Sequence, residues 1–530
     1  MKRSKTSTFL LEVPLVVTSQ QARHLRAHLE TARCFYNTVL GQARTRLRRM
    51  QADPAWNAAR AIPRSQKATR KAAFAEQRKR YGFSEYEMHA YAKRARCTWL
   101  AEHLDSTMAQ ALATRAFQAV QKVCVGKARH VRFKSRGRGL DSVEGKRNDT
   151  GMRFVLQSPE EGSQGFLIWG EDHIPAHLAW DDPVVAHGLK QRIKYVRLVR
   201  RKASSRLAQG ADASGCRYYA QLVLEGKAFL KPKNRPGQQM MGLDLGPSTL
   251  AVFPRQGEVQ LLQLAEEVRL DARQQRRLQR QLDRQRRANN PDNFDEKGRI
   301  KRQGKQRLRW HDSQGYTETR RQLATEARRL AAQRKTLHGR LVNDLIRMGN
   351  TITLEDLSYR GWQKCFGKSV GLRAPGMLIE HLRCTVAKTG GILREVSTFQ
   401  TKLSQYCHGC GTYHKKPLSQ RWHQCECGVG PVQRDLYSAF LTAYLEPGEL
   451  VPSITQSDWA GAEVRLRAVM ERLEQRATAG HCLPQSMGIP RLRPMWSYFP
   501  CHFRGGTAEA MRLKQYLTST RKSSGDWSMI

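Results

Sequence analysis

The chain has 530 residues, carrying 92 Lys+Arg against 46 Asp+Glu for a formal net charge of +46, with 40% apolar residues. That length exceeds one ordinary core and predicts about two to four domains. A basic excess spread along the whole chain repels itself unless a polyanion is present, so it points to nucleic acid held through phosphates, ahead of a ribosome-associated or membrane-surface role. No segment reaches the roughly 18 apolar residues a spanning helix needs.

The start, "MKRSKTSTFLLEVPLVVTS", resembles a signal peptide only superficially. Glu12 and Pro14 interrupt its apolar part and no small-residue cleavage site follows. Residues 7–17 read as a strand, and the chain is expected to be intracellular. A helix follows from about 19, with "TSQQ" at 18–21 as a capping box. Leu25, Leu29, Ala32, Tyr36 and Leu40 then fall at helical spacing, and basic helical sequence continues to about 127. From 128 to 235 short β-like runs appear: "HVRFKSRG", "MRFVLQS", "GFLIWG", "IKYVRLVRRK" and "CRYYAQLVLEG". They predict a small barrel or sandwich whose first strand precedes the helices. "KPKNRPGQQ" at 231–239 reads as a linker.

Strands are expected at 240–245 and 249–253. Two long basic helices follow over 264–345, separated by the polar break "RANNPDNFDEKGRIKRQGKQ". "GNTITLEDLSY" at 349–359 is again a strand, and 377–396 give a helix and a strand. A cysteine cluster spans 407–427, a helix runs from 434 to 445, and another is expected at 457–476 before a loose, aromatic, basic tail.

Eight cysteines are scattered singly: Cys34, Cys97, Cys124, Cys216, Cys365, Cys384, Cys482 and Cys501. In a reducing compartment such residues are expected to be small core side chains. The other four form "CHGCGTYHKKPLSQRWHQCECG". Cys407 and Cys410 make a C-x-x-C knuckle, and Cys425 and Cys427 make a second pair after 14 intervening residues. Four thiolates suit a closed, structural zinc site, with Gly409, Gly411 and Gly428 in the turns around the sulfurs. The C-x-C pair is tight, so His408, His414 or His423 is an alternative ligand.

Three acids stand on or beside apolar elements, where a lone carboxylate is unfavourable. Asp244 lies in "GLDLG", Glu355 in "TITLEDLSY" and Asp435 in "QRDLYSAF". Three carboxylates converging from separate elements would bind two magnesium ions and support in-line phosphodiester cleavage. The bland alternative for each is a cap or a surface residue. Asp356 competes with Glu355, but adjacent strand residues point to opposite faces, so only one joins the site. Gly242 and Gly246 would let a nucleic-acid backbone approach.

In "RQQRRLQRQLDRQRRANN", Arg276, Arg280, Arg284 and Arg287 share a helix face, read either as solvated or as a phosphate contact. "VRFKSRGRG" at 131–139 mixes aromatic and basic residues as a single-strand or RNA surface does. "GWQKCFGKS" has five residues between its glycines where a P-loop needs four.

Taken in order, "GLDLG", "TLEDLSY", "TKLSQYCHGCG…CECG" and "QRDLYSAF" resemble the transposon-encoded TnpB family and its relatives, the compact type V CRISPR effector nucleases. "ARCFYNTVL" resembles that family's opening helix, and the likeness covers most of 1–446. The resemblance implies an RNA-guided DNA endonuclease of mixed α/β and α+β multidomain class. A wedge-like β-barrel (1–17 and 128–235) would be interrupted by a helical recognition lobe (18–127). A split RuvC-like RNase H fold (240–403) would carry the basic helical insertion 264–345. An inserted zinc ribbon (404–430), the third RuvC motif (431–446) and a C-terminal extension (447–530) would follow. It further implies Asp244, Glu355 and Asp435 as catalytic carboxylates with two magnesium ions, and one structural zinc on Cys407, Cys410, Cys425 and Cys427. The implied partners are a guide RNA and target DNA, with no membrane and no small-molecule cofactor. The implied location is cytoplasmic, at the nucleoid when DNA-bound. A CRISPR effector of the same fold and a non-cleaving, guide-dependent DNA-binding protein are the rival readings. The chain departs from the family in having Tyr437 where Asn is usual, in the C-x-C pair and in its long tail.

Overall fold

A computed structural model describes residues 6–136, 139–158, 160, 162–203, 212, 214–301, 308–417, 419–481 and 483–489. Cys482, Cys501 and most of the expected tail lie outside these. The chain divides into two compact units, one of 1–237, 269–350 and 380–392, the other of 238–268, 351–379 and 393–530.

The first unit opens on β1 (Thr8–Pro14), whose alternating burial places Phe9, Leu11 and Val13 inside. The helix α1 (Ser19–Ala52) starts at the expected capping box. Thr18 Oγ1 accepts from Gln21 N at 3.2 Å, and Gln21 Oε1 accepts from Thr18 N at 3.1 Å. Four shorter helices follow: α2 (Pro54–Ala61), α3 (Lys67–Arg80), α4 (Glu85–Arg96) and α5 (Ser106–Cys124). The apolar stripes of α1, α4 and α5 close on one another around Leu25, Phe35, Met88 and Phe117. Next come β2 (Ser142–Glu144), β3 (Arg153–Leu156), β4 (Gly165–Trp169), β5 (Asp172–Ala176), α6 (Pro183–Leu189), β6 (Ile193–Lys202) and β7 (Cys216–Glu225). They form two sheets, ordered β1-β7-β6-β2 and β3-β4-β5. β1 is thus an outer strand of the first sheet, paired antiparallel with β7 at Leu11↔Leu222, 211 positions apart in the chain.

The run "HVRFKSRG" forms no strand among its described residues. Side chains of α1 take its backbone bonds instead. Asn37 Oδ1 accepts from Lys134 N at 2.8 Å, and Lys134 O accepts from Asn37 Nδ2 at 2.9 Å and Arg33 at 2.8 Å. Phe133 lies beneath the Arg44 guanidinium, 5.0 Å from ring centroid to carbon. The basic helices are α7 (Ala272–Ala288) and α8 (Gln314–Met348), packed on each other.

The second unit is built on a five-stranded sheet of β8 (Gln239–Leu245), β9 (Thr249–Pro254), β10 (Gln260–Gln263), β11 (Gly349–Asp356) and β12 (Ile392–Ser397). Its order is β10-β9-β8-β11-β12, which puts β8 at the centre. The apolar run of β9 is buried throughout. Between β11 and β12 lie α9 (Tyr359–Cys365), α10 (Gly367–Arg373) and α11 (Pro375–Thr389), so the P-loop-like stretch is helical. A short helix α12 (Thr398–Thr401) leads to the cysteine cluster. The two-residue strands β13 (Trp422–His423) and β14 (Val432–Gln433) pair behind it and run into α13 (Arg434–Ala443).

Phe440 of α13 meets Phe253 of β9 edge-on at 5.2 Å. Leu466, Val469 and Leu473 of α14 (Trp459–Thr478) bury in the same core as α13. Arg472 of that helix pairs with Glu258, and Arg476 pairs with Glu266 at 3.1 Å. Of the scattered cysteines, Cys216 is buried and Cys34 and Cys124 are half-buried. Cys97, Cys365 and Cys384 are exposed, against expectation. Cys97 caps the end of α4, and its thiol is satisfied by the Lys93 carbonyl at 3.3 Å, so the site needs no apolar surroundings. No helix of the described residues is long and apolar enough to cross a membrane.

Candidate nuclease site and metal centre

Asp244 lies on the central strand β8, opposite Ala251 of β9. Gly242 shares its face of the strand, two residues away. A Cβ at Gly242 would stand 2.1 Å from Ala439 O and 2.3 Å from Ala443 N, both backbone atoms of α13. Only glycine lets the helix lie this close to the strand. Asp435 sits one helical turn before Ala439, in the first turn of α13, where the helix end favours an anion. The close approach at Gly242 therefore brings Asp435 towards Asp244. Neither Gly242 nor Gly246 is left open to the approaching nucleic-acid backbone that their place in the sequence suggests. Instead Gly242 is filled by α13, and a Cβ on Gly246 would meet Thr249 Oγ1 at 2.7 Å, inside the β8–β9 turn.

Electrostatics tie the three acids together. Burial, followed by the charges of Asp435 and Glu355, holds the Asp244 carboxyl well above the usual range, with Arg434 opposing. Glu355, on the neighbouring strand β11, is raised by burial and eased by Thr401, whose hydroxyl donates to Glu355 Oε1 at 3.4 Å. Asp435 is raised by burial and lowered by Arg434 and Arg421. Asp356 is exposed, as strand alternation requires, so the carboxylate on the side of Asp244 is Glu355. All three acids are half-buried. They form a self-repelling set of oxygen donors. Such a set fits a hard divalent cation, whose charge would relieve the repulsion.

Arg434 was not singled out from sequence. Its guanidinium lies 3.5 Å from Asp435 Oδ1 and donates to the carbonyls of Pro417 at 3.4 Å and Gln420 at 3.1 Å. Its backbone N–H donates to Arg421 O at 2.8 Å. Gln433 caps α13 through Leu436 N at 2.7 Å. The loop of the cysteine cluster thus holds the residue beside the third carboxylate. The adjacent triplet Gln433-Arg434-Asp435 was the available signal. Thr401 carried no sequence signal, because its role depends on packing against β11.

The sulfurs of Cys407, Cys410, Cys425 and Cys427 all lie within 4.8 Å of one another. Cys407 and Cys427 are 3.5 Å apart, and Cys410 and Cys425 are 3.6 Å apart. A tetrahedron with Zn–S of about 2.3 Å has S···S of about 3.8 Å, so the group fits zinc with the C-x-C pair included. Gly411 and Gly428, at φ 70° and 94°, form the turns. His414 Nε2 lies 3.6 Å from Cys425 Sγ and 2.7 Å from Thr412 Oγ1, beside the sulfurs.

His408 and His423 are engaged elsewhere, on Tyr437. The Tyr437 hydroxyl accepts from His408 N at 3.0 Å and lies 2.7 Å from its Nδ1, while His423 stacks on the Tyr437 ring at 4.1 Å. Tyr437, 1% exposed, thereby locks α13 to the cysteine cluster. Its ring belongs to that packing.

Arg276, Arg280, Arg284 and Arg287 of α7 are all exposed. Arg276, Arg280 and Arg284 line one cavity of about 310 Å³ with Arg273 and Arg277. Arg287 is committed to Asp283 at 2.8 Å and to Gly298 O at 2.8 Å.

No family model matches the chain, and no characterised protein sequence does. Among solved structures, a cryo-EM structure of a Cas12f1–sgRNA–target DNA complex is similar, with a TM-score of 0.43 and 11% identity over 82% of this chain and 98% of that one. A likeness of that degree carries no argument about activity.

Proposed function

We propose that the chain is a magnesium-dependent, RNA-guided DNA endonuclease of the TnpB type, encoded by a mobile element. The observation that carries the nuclease reading is the close packing of α13 on the central strand β8 at Gly242, which sets Asp435 beside Asp244 and next to the strand that bears Glu355. The guided character rests on the ordered motifs and on the +46 charge. In this reading the two sheets of the first unit serve as the wedge, α1–α5 as the recognition lobe and the five-stranded sheet as the RuvC-like core.

Asp244, Glu355 and Asp435 would hold two magnesium ions. Held there, the ions would supply activation of the attacking water and stabilisation of the leaving oxygen. Thr401 orients Glu355, while Arg434 restrains Asp435 and tempers its charge. The four cysteines would hold zinc in a closed structural site, outside the chemistry.

The test is cleavage of duplex DNA by the chain purified with its co-expressed flanking RNA. Asp244→Asn should lower cleavage by at least about 100-fold, as expected when a group stabilising developing charge is removed, while RNA binding persists. Wild-type cleavage in that variant would overturn the assignment. Sequencing the retained RNA separates a transposon-end origin from a repeat-array origin.

A further inference from the structure

Away from the carboxylates, α2, α3 and the end of α5 enclose a cavity of about 510 Å³ in the first unit. This lies in the size range of small-ligand sites. One side is apolar. Trp56, 6% exposed, and Phe74 meet edge-on at 4.8 Å, with Val125 beside them. The rest carries Arg60, Arg70, Lys71 and Arg78 beside Ala75 and Cys124, and no carboxylate lines it. Arg70 is already positioned. It donates to Arg60 O at 2.8 Å and to Ile62 O, and its guanidinium carbon lies 5.3 Å from the Phe74 centroid. Arg78 Nε is buried with no hydrogen-bond partner. Four like charges around an apolar wall repel one another unless an anion joins them, and Arg78 Nε adds an unmet donor although its guanidinium also meets the Cys124 thiol.

The geometry points to a binding site for a single phosphorylated nucleotide, its base against Trp56 and Phe74 and its phosphate among the four cations. An aromatic wall takes any base, and arginine suits phosphate oxygens. The same chemistry is offered by a free nucleotide and by the 5′-phosphorylated end of a strand. This site is independent of the nuclease reading, because the probes below involve no guide, target or metal.

The experiment is calorimetric titration of the full chain with adenosine 5′-monophosphate, adenosine, and a hexaribonucleotide bearing either a 5′-phosphate or a 5′-hydroxyl. Arg60 and Lys71 are exposed, so Arg60→Glu/Lys71→Glu keeps the core intact, and Arg60→Gln/Lys71→Gln is the milder second variant. Lys194→Glu/Lys202→Glu, exposed on β6, matches its charge change. Loss of one charge-assisted phosphate contact corresponds to at least about tenfold weaker binding. The expected result is that loss for the phosphorylated probes in the Arg60/Lys71 variants alone. Tighter binding of the mononucleotide identifies a free ligand as the source, and tighter binding of the phosphorylated hexamer identifies a strand end. Equal binding of phosphorylated and unphosphorylated probes, or equal losses in the β6 control, would overturn the proposal.

Discussion

Gly242→Ala tests the geometry of the carboxylate site without touching a carboxylate. The new methyl would stand 2.1 Å from Ala439 O, 2.3 Å from Ala443 N and 2.8 Å from Thr442 C. All three are backbone atoms of α13, so no side chain can swing aside. Ordinary contact begins near 3.4 Å, which requires α13 to lift from β8 by about 1 Å. Overpacking of this kind costs about 1–3 kcal/mol. For a unit of this size that corresponds to a fall in Tm of roughly 2–12 °C. The same movement carries Asp435 away from Asp244, and a displacement of about 1 Å in a catalytic set costs on the order of 100-fold in rate. Thermal unfolding and a magnesium-dependent cleavage assay read the two effects separately. A variant with wild-type Tm and wild-type cleavage would refute the packing of α13 on β8 and the convergence argued from it.

Three further outcomes are expected. Tyr437→Phe removes the hydroxyl shared by His408 N and Nδ1. Leaving those buried groups unpaired should destabilise the unit by about 1–3 kcal/mol in urea titration, without the cleavage loss expected of Asp244→Asn at temperatures where the variant stays folded. Metal analysis should find one zinc per chain, and Cys425→Ser should lose it together with the fold of the loop that restrains Arg434, seen as protease sensitivity near 407–427. His28 stacks on Trp169 at 4.4 Å and faces His103, Asp172 and His24. Burial, then His103, pushes it down to about 4. Because the folded value lies below the unfolded one, its contribution is complete above about pH 6.5 and is lost as pH falls through about 4. Discounted for partial exposure, it is worth about 1–3 kcal/mol. His28→Gln should flatten the acid limb of a stability–pH curve, and an unchanged limb would remove His28 as its cause.

Local chemistry was readable from the sequence alone. The capping box at Thr18 and Gln21 and the alternation of β1 need only a few consecutive residues, because their interactions span one turn or one pleat. The cysteine cluster closes over 21 residues, so its spacing alone suggested a four-thiol group suited to zinc, while the choice between thiols and nearby histidines was left to the structure. Strand alternation likewise showed that only one of Glu355 and Asp356 could join the site, while the exposure of Asp356 in the structure left Glu355 as the inward one. The stretch at 130–137 misled because its aromatic and basic pattern suits a strand, whereas Asn37 and Arg33 of a distant helix supply its backbone partners.

Only tertiary structure decided how Asp244, Glu355 and Asp435 meet, since 191 positions separate the first from the last and no periodicity spans them. It also decided the roles of residues whose partners are remote. Gly242 is required by the backbone of α13, Thr401 by Glu355, Arg434 by the carbonyls of the cysteine loop, and Tyr437 by two histidines. The physical reason is common to all four. A side chain's type states what it can bond or exclude, but the identity of its partner depends on which distant segment the core brings against it.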